Sequence, residues 1–284
     1  MLTINFDLSA FESVEIIPVA DCHIGNELFS EADFKKTIDY ILEEPDDERC
    51  ARICLLNGDL TESVTRNSRV GDVFDQTMTP SVQVATMVKY LRPLMETNKK
   101  YPQGKILSYC AGNHDEGRYK DTGISAAESI AVGLGLEDRF SKDGCYSFIR
   151  VQSKNRQAPT IATIYNTHLS GGGTTIGGKA NRVLKAGLHG GIIADVIVGS
   201  HVHEPMTFKE DVIVPQVKDC ILKQKTITYV ITNAFLRYGG YSQRGGMKPG
   251  TIAVPRIFLM TGRDQSKADN RKQNKRYIYT EVIL

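Results

Sequence analysis

The chain has 284 residues, of which 41% are hydrophobic and 24% are charged, with 35 Lys and Arg against 33 Asp and Glu. This balance of charge excludes an acidic disordered chain and a strongly basic nucleic-acid coat protein. No apolar run approaches the roughly 20 residues of a membrane helix, and the N-terminus lacks the pattern of a signal peptide. Six scattered cysteines without a CxxC pair are typical of a reduced protein. We therefore expect a cytoplasmic location and no membrane partner.

The first half of the chain alternates between strand and helix patterns. Apolar runs of strand length cover residues 14–20, 51–56 and 105–110. Apolar residues at helical spacing predict helices over residues 31–44, 81–97 and 124–134, the second of them strained by Pro93. This alternating order predicts an α/β sheet with crossover connections.

The second half of the chain is richer in strand patterns. Strands are predicted over residues 146–151, 160–167, 195–199, 226–234 and 276–284, with one helix near 180–189 and a polar loop over 262–276. There is no internal repeat and no clear linker. The sequence therefore favours a single domain with two sheets.

Most of the histidines follow predicted strands. The six are His23, His114, His168, His189, His201 and His203. All but His189 lie just beyond a strand pattern, most of them within two residues of an Asp, Asn or Gly, whereas His189 falls in a helical segment and is interpreted as an ordinary residue. Because open α/β sheets place their sites beyond the carboxyl ends of the strands, we expect these side chains to meet. With their polar neighbours, the candidate set is Asp21, His23, Asp59, Asn113, His114, Asp115, His168, His201 and His203.

The spacing and type of these residues predict a metal centre. The pairs Asp21/His23 and His201/His203 are spaced i, i+2, which in extended backbone places both members on one face, so each pair can point at one centre. Imidazole, carboxylate and amide ligands suit Mn, Fe or Zn in a catalytic site. The candidates are too many for one ion, so we expect two, with a carboxylate bridging them.

The motif blocks in order are Asp21-x-His23, Gly58-Asp59, Gly112-Asn113-His114-Asp115, His168 and His201-x-His203. This series resembles the calcineurin-like metallophosphoesterase superfamily, including its phage and microbial members. The resemblance implies a four-layer α-β-β-α sandwich with two mixed β-sheets, in one domain over 1–284. The motif-bearing core would cover about 14–205, and 206–284 would complete the second sheet.

The resemblance also implies an activity. The chain would be a two-metal-dependent hydrolase of phosphate esters, a phosphodiesterase that cleaves DNA, RNA or nucleotides through a metal-bridging hydroxide. Its cofactors would be two divalent ions, with Mn expected first and Fe, Zn or Ni as alternatives. A phosphomonoesterase for a small phosphorylated metabolite or nucleotide is an alternative. A non-catalytic scaffold is another, which the complete ligand set disfavours. The oligomeric state stays open.

The resemblance assigns a role to each site residue. One metal would be held by Asp21, His23 and His203, and the other by Asn113, His168 and His201. Asp59 would bridge the two. His114 would face the substrate and act as the general acid, and Asp115 would orient His114 and favour its protonated form.

Several positions depart from the family pattern. Ser200 stands where the family usually has glycine. Glu62 stands where the nuclease branch usually has histidine, and the 58–62 block lacks the Asp-Arg pair of Ser/Thr protein phosphatases. The third block ends in Asp115 where those phosphatases have Glu. These differences argue against a protein phosphatase and leave the branch open.

Two segments are candidates for substrate binding. The glycine-rich stretch 170–179 follows His168; the N–H groups of Gly171 and Gly172 could cradle a phosphate, with an ordinary surface loop as the alternative. Residues 234–249 combine aromatic and basic side chains, including Arg237 and Arg244, that could grip a nucleotide or strand. The insert 61–80 should overhang the site, where Arg66 and Arg69 could contact phosphate or lie at an exposed helix start. The basic residues in 262–276 could contact nucleic acid or form an ordinary solvated face.

Overall fold

A computed structural model describes residues 1–67, 73–117, 119–152, 159–172, 175–217, 220–239, 243, 250, 252–263 and 276–284. Its strands are β1 (Leu2–Leu8), β2 (Ser13–Val19), β3 (Cys50–Asn57), β4 (Ile106–Cys110), β5 (Phe140–Ser141), β6 (Cys145–Val151), β7 (Thr160–His168), β8 (Val196–Ser200), β9 (Met206–Gln216), β10 (Ile221–Ile231), β11 (Arg256–Arg263) and β12 (Arg276–Ile283). Its α-helices are α1 (Glu31–Leu42), α2 (Pro80–Leu91), α3 (Asn113–Gly117), α4 (Tyr119–Thr122), α5 (Ala126–Leu134) and α6 (Ile176–Ala186). Short 3₁₀ turns cover Val73–Asp75, Arg92–Met95, Glu137–Arg139 and Leu188–Gly190.

The strands form two mixed sheets. The first sheet has the order β1-β6-β7-β8-β10-β9, and the second has the order β12-β11-β2-β3-β4-β5. Within the first sheet β7, β8 and β10 run parallel, and within the second β2, β3 and β4 run parallel. Of these parallel strands, β2, β3, β4 and β8 are almost completely buried, as expected where both faces of a sheet are covered. The predicted α/β class with two mixed sheets is confirmed.

Three apolar clusters explain how the layers hold together. One lies between the sheets and includes Phe6 of β1, Ile53 of β3 and Val198 of β8. A second packs α1, α2 and α5 onto the second sheet, and a third packs α6 onto the first sheet. Burial of these side chains is the main stabilising term of the fold, and it fixes the two sheets face to face.

The sequence-based elements compare well with the structure where strands are buried. The runs predicted at 14–20, 51–56, 105–110, 146–151, 160–167 and 195–199 correspond to β2, β3, β4, β6, β7 and β8. The helix expected over 81–97 leaves the α form after Leu91, and Pro93 lies in the 3₁₀ turn that follows. The helix expected near 180–189 begins earlier, at Ile176. The loop expected over 262–276 falls mainly outside the described residues.

The C-terminal strands join both sheets. Residues 206–284 were expected to complete the second sheet, but β9 and β10 extend the first sheet, while β11 and β12 extend the second. Strands β1, β5, β9 and β11 were absent from the prediction. Among the described residues, none of the helices has the length and apolar character needed to cross a membrane.

Candidate metal centre

The predicted site residues follow parallel strands of both sheets. In the second sheet, β2 leads to Asp21 and His23, β3 leads to Asp59, and β4 leads to the turn of α3 that carries Asn113 and His114. In the first sheet, His168 is the last residue of β7, and β8 leads to His201 and His203. Because the sheets pack face to face, these carboxyl ends meet at one edge of the molecule, as the strand order predicted.

The backbone at the site is unusual. Asp21, His23 and Asp59 each have a φ of 49°, and His201 and His203 have φ values of 83° and 58°. L-residues rarely adopt this left-handed region, and such residues cluster at functional sites. The i, i+2 argument assumed extended backbone and is wrong in that respect: left-handed turns, and not a pleated strand, direct these side chains into the site.

One group of possible ligands contains Asp21, His23 and His203, whose ligand atoms all lie within 4.8 Å of one another. The Nε2 atoms of His23 and His203 are 3.4 Å apart, and Nε2 of His203 lies 3.4 Å from an Asp21 carboxylate oxygen. Asp21 is fully buried, whereas the His203 side chain is 38% exposed. The group is therefore open to solvent on the His203 side. It contains the three residues that the resemblance assigns to one metal.

A second group contains Asp59, His168 and His201. Nε2 of His168 lies 3.1 Å from Oδ2 of Asp59, 3.2 Å from Nδ1 of His201 and 2.9 Å from Oδ1 of Asn113. These are the residues that the resemblance assigns to the other metal. His201 and His203 thus lie in different groups, and the expectation from spacing alone that they share one centre is wrong.

Asp59 lies between the two groups. Its Oδ2 is 3.1 Å from Nε2 of His168 and 3.9 Å from Nε2 of His23. Its other oxygen, Oδ1, accepts a hydrogen bond of 2.8 Å from the backbone N–H of His114. The carboxylate is 1% exposed, so its orientation is fixed by neighbours and not by solvent. This is the position that a bridging ligand needs.

The electrostatics favour positive charge in the site. Burial alone would lower the pKa of His168, but the carboxylates of Asp59 and Asp21 raise it to about 10. Burial likewise opposes the charge on His23, yet Glu62 and Asp59 raise its pKa to about 9. The buried carboxylates therefore favour positive charge nearby, and in the metal-free protein the protonated imidazoles of His23 and His168 provide it. Divalent metals would replace those protons, so the donor set fits metal ions.

His114 lies beside both groups, and it joins His23 and Asp59 in a third cluster. Its ring packs edge-on against His23, with 4.6 Å between ring centroids. Its Nδ1 is 3.2 Å from the backbone carbonyl of Glu62; a carbonyl only accepts, so Nδ1 carries a proton and Nε2 is the nitrogen that can exchange one. Burial and the neighbouring His23 lower the pKa of His114, against the opposing effect of Asp59 and Glu62.

Asp115 has a different role from the one expected. Its buried carboxylate accepts hydrogen bonds from the backbone N–H groups of Leu60, Thr61 and Gly112 and from the hydroxyl of Thr61. All the hydrogen bonds described for this side chain thus go to the turns that carry Asp59 and Asn113. Asp115 shapes the backbone of the site, and the carboxylate that faces His114 is that of Glu62.

Glu62 was noted only as a departure from the family pattern. Its side chain is 7% exposed, and its Oε2 lies 2.9 Å from Nδ1 of His23 and 3.8 Å from Nδ1 of His114. One carboxylate therefore contacts both imidazoles. The signal that could have found it is its place in the turn after β3, three residues beyond Asp59.

The proposed substrate-binding residues make contacts within the chain. The carbonyl of Gly172 accepts a 2.8 Å hydrogen bond from Arg182, and the guanidinium of Arg182 lies where it would clash with any Cβ added at Gly171. The guanidinium of Arg237 lies 3.4 Å from the carbonyl of Glu27. Arg69 and Arg244 lie outside the described residues. Their roles in substrate binding stay predictions.

Comparison of the chain with protein-family models and with curated proteins found no match. The site is therefore interpreted from its own geometry and from the motif resemblance.

Proposed function

We propose that this chain is a two-metal-dependent hydrolase of phosphate esters, and specifically a phosphodiesterase acting on nucleic acid or nucleotides. The proposal includes membership of the calcineurin-like metallophosphoesterase superfamily, with its four-layer α-β-β-α sandwich. The observation that carries it is the buried Asp59 carboxylate, which lies between two separate His/Asp groups. A single structural metal site would need neither the second group nor the shared carboxylate.

The ligands divide between two ions around Asp59. Asp21, His23 and His203 would hold one ion, and Asn113, His168 and His201 would hold the other. Their nitrogen and oxygen donors suit Mn²⁺ first, with Fe, Zn and Ni as alternatives. Ions held in this way would supply a lowered pKa of water and neutralisation of charge on phosphate oxygens.

His114 would act as the proton donor. With Nδ1 held by the carbonyl of Glu62, the Nε2 position is the one that can protonate the leaving oxygen of the ester. The side chain is 17% exposed, so it reaches the solvent edge where a substrate arrives. An anionic phosphate ester next to the imidazole would raise the pKa of His114. The ring would then carry on Nε2 the proton that it donates to the leaving oxygen.

The test compares a diester with a monoester. We expect Mn²⁺ to stimulate cleavage of bis(p-nitrophenyl) phosphate more than cleavage of p-nitrophenyl phosphate. The reverse ratio would favour a phosphomonoesterase. Two bound ions without turnover of either ester, or of a panel of nucleic acids and nucleotides, would favour a scaffold.

Three variants test the assigned roles of Asp59 and His114. Asp59→Ala should lose both ions. His114→Ala should lose most activity and keep the metal content, and loss of metal there would contradict its assigned role. His189→Ala is the matched control, because this exposed histidine lies in the 188–190 turn outside the site.

A further inference from the structure

A chain of buried polar side chains crosses between the two sheets behind the candidate metal centre. Ser108 of β4 donates a 2.8 Å hydrogen bond to Asn166 of β7, which donates one of 3.0 Å to the side chain of Asn57 in β3. The Asn57 amide then donates to the Ser200 hydroxyl at 3.2 Å. These four side chains have no solvent exposure. The chain ends at His168, whose Nδ1 lies 2.8 Å from Oγ of Ser200.

The Ser200 hydroxyl uses all of its hydrogen-bonding positions. Its hydroxyl donates to the backbone carbonyl of Asn57, so its lone pairs accept from the Asn57 amide and from Nδ1 of His168. A hydroxyl has one donor and two acceptor positions, and all three are used. The Asn57 carbonyl, which only accepts, also lies 3.1 Å from Nδ1 of His168. Nδ1 therefore carries the proton, and Nε2 is the nitrogen that faces Asp59.

We propose that Ser200 is a positioning residue that, together with the carbonyl of Asn57, fixes the tautomer and ring orientation of His168 for metal binding, an inference that rests on the proposed two-metal function. In the register of the parallel β7–β8 pair, Ser200 lies directly beside His168. The sheet itself thus sets the distance between hydroxyl and imidazole. Partners of this kind orient a ligating histidine, and their loss weakens metal binding 10–100-fold.

The ligating histidines of the two groups have different hydrogen-bond partners at Nδ1. The inference therefore predicts an effect on one of the two ions only. Nδ1 of His23 meets the carboxylate of Glu62 at 2.9 Å, whereas Nδ1 of His168 meets a neutral hydroxyl and a carbonyl. Loss of the Ser200 hydroxyl should therefore affect the ion held by His168 and spare the ion held by His23.

The experiment is a Mn²⁺ titration of the metal-free full chain, with free Mn²⁺ followed by electron paramagnetic resonance. His168→Asn and His23→Asn assign the two binding steps. Ser200→Ala should weaken the step that His168→Asn abolishes by about 10-fold and leave the other step unchanged. Ser200→Gly, which also lacks the hydroxyl, should do the same. The matched control is Ser147→Ala, because Ser147 of β6 is equally buried and its hydroxyl has no hydrogen-bond partner among the described residues.

Each result of the titration bears on a different part of the proposal. If Ser200→Ala and Ser147→Ala both bind two ions as the wild type does, the role of Ser200 is refuted while the metal centre stands. If Ser200→Ala weakens both steps equally and lowers the thermal midpoint of the metal-free protein, Ser200 supports the fold and not the ligand. If the wild type takes up neither Mn²⁺ nor, by metal analysis, any of Fe, Zn and Ni, the proposed function fails, and the role of Ser200 fails with it.

Discussion

Gly112 offers the sharpest test of the bridging position. A Cβ atom added at Gly112 would lie 2.1 Å from both the backbone nitrogen and Oδ1 of Asp59, where ordinary contacts begin near 3.4 Å. Gly112 does not have a positive φ, so alanine fits its backbone conformation. The effect of Gly112→Ala is therefore steric, and it is directed at the residue that is proposed to join the two ions.

The size of the effect follows from these distances. Asp59 or Gly112 must move by more than 1 Å to restore a normal contact, whereas metal–ligand distances tolerate about 0.2 Å. We expect Gly112→Ala to lose at least one of the two ions after loading with Mn²⁺ and dialysis. A displacement of this size should lower turnover about 100-fold. Overpacking should lower the free energy of unfolding by about 1–3 kcal/mol.

Metal content by mass spectrometry and urea unfolding of the metal-free protein are the measurements. Gly117→Ala is the matched control, since it changes the same residue type in the same segment and its added Cβ would meet nothing within 4 Å. That control should keep both ions. A Gly112→Ala protein that retains two ions with unchanged affinity would refute the placement of Asp59 between the groups.

Three further predictions concern charge. Glu62→Gln should weaken Mn²⁺ binding at the group that contains His23 about 10-fold, because a neutral amide replaces the carboxylate on its Nδ1; equal dissociation constants for both proteins would contradict this. Uptake of two ions at pH 7 should release about two protons, since the pKa values of His23 and His168 are about 9 and about 10 in the metal-free protein. The apparent affinity should therefore rise as the pH increases towards 9, and calorimetric heats that do not depend on the buffer would refute the release. Glu15→Gln should lower the free energy of unfolding by about 3–5 kcal/mol, because it removes the charge that pairs with the buried Arg52 at 2.7 Å; a loss below about 1 kcal/mol in urea titrations would show that this pair is dispensable.

The sequence predicted the strands that carry the site because those strands are buried on both faces. A run such as 51–56 is continuously apolar, and it corresponds to β3, whose residues are almost all buried. Strand β9 gave no such signal, because its residues alternate between partly and fully exposed positions and include the charged run 209–211. It pairs with the next strand, β10, in an antiparallel hairpin, and its exposed residues carry no apolar run that would mark it as a strand.

The candidate ligands were also predictable, whereas their supporting contacts were not. His23 and Asp59 are recognisable because each follows a strand next to a characteristic neighbour. The contact of Glu62 with His23 joins residues 39 positions apart, and the contact of Ser200 with His168 joins residues 32 positions apart. Such pairs depend on which strands lie side by side within each sheet and on side-chain rotamers, so the spacing of motifs does not reveal them.

Backbone hydrogen bonds help to hold the candidate ligands in place. The N–H groups of Asp21 and His23 donate to the carbonyls of Gly58 and Asp59 at 3.0 Å, which continues the β2–β3 ladder into the site. The carbonyl of Asp21 accepts from the N–H of Phe235, also at 3.0 Å. A left-handed conformation at a non-glycine residue costs about 1–3 kcal/mol, and five candidate ligands adopt one. The burial and hydrogen bonding of the surrounding strands help to offset this penalty, so the stability of the two-sheet core and the geometry of the candidate metal centre are physically linked.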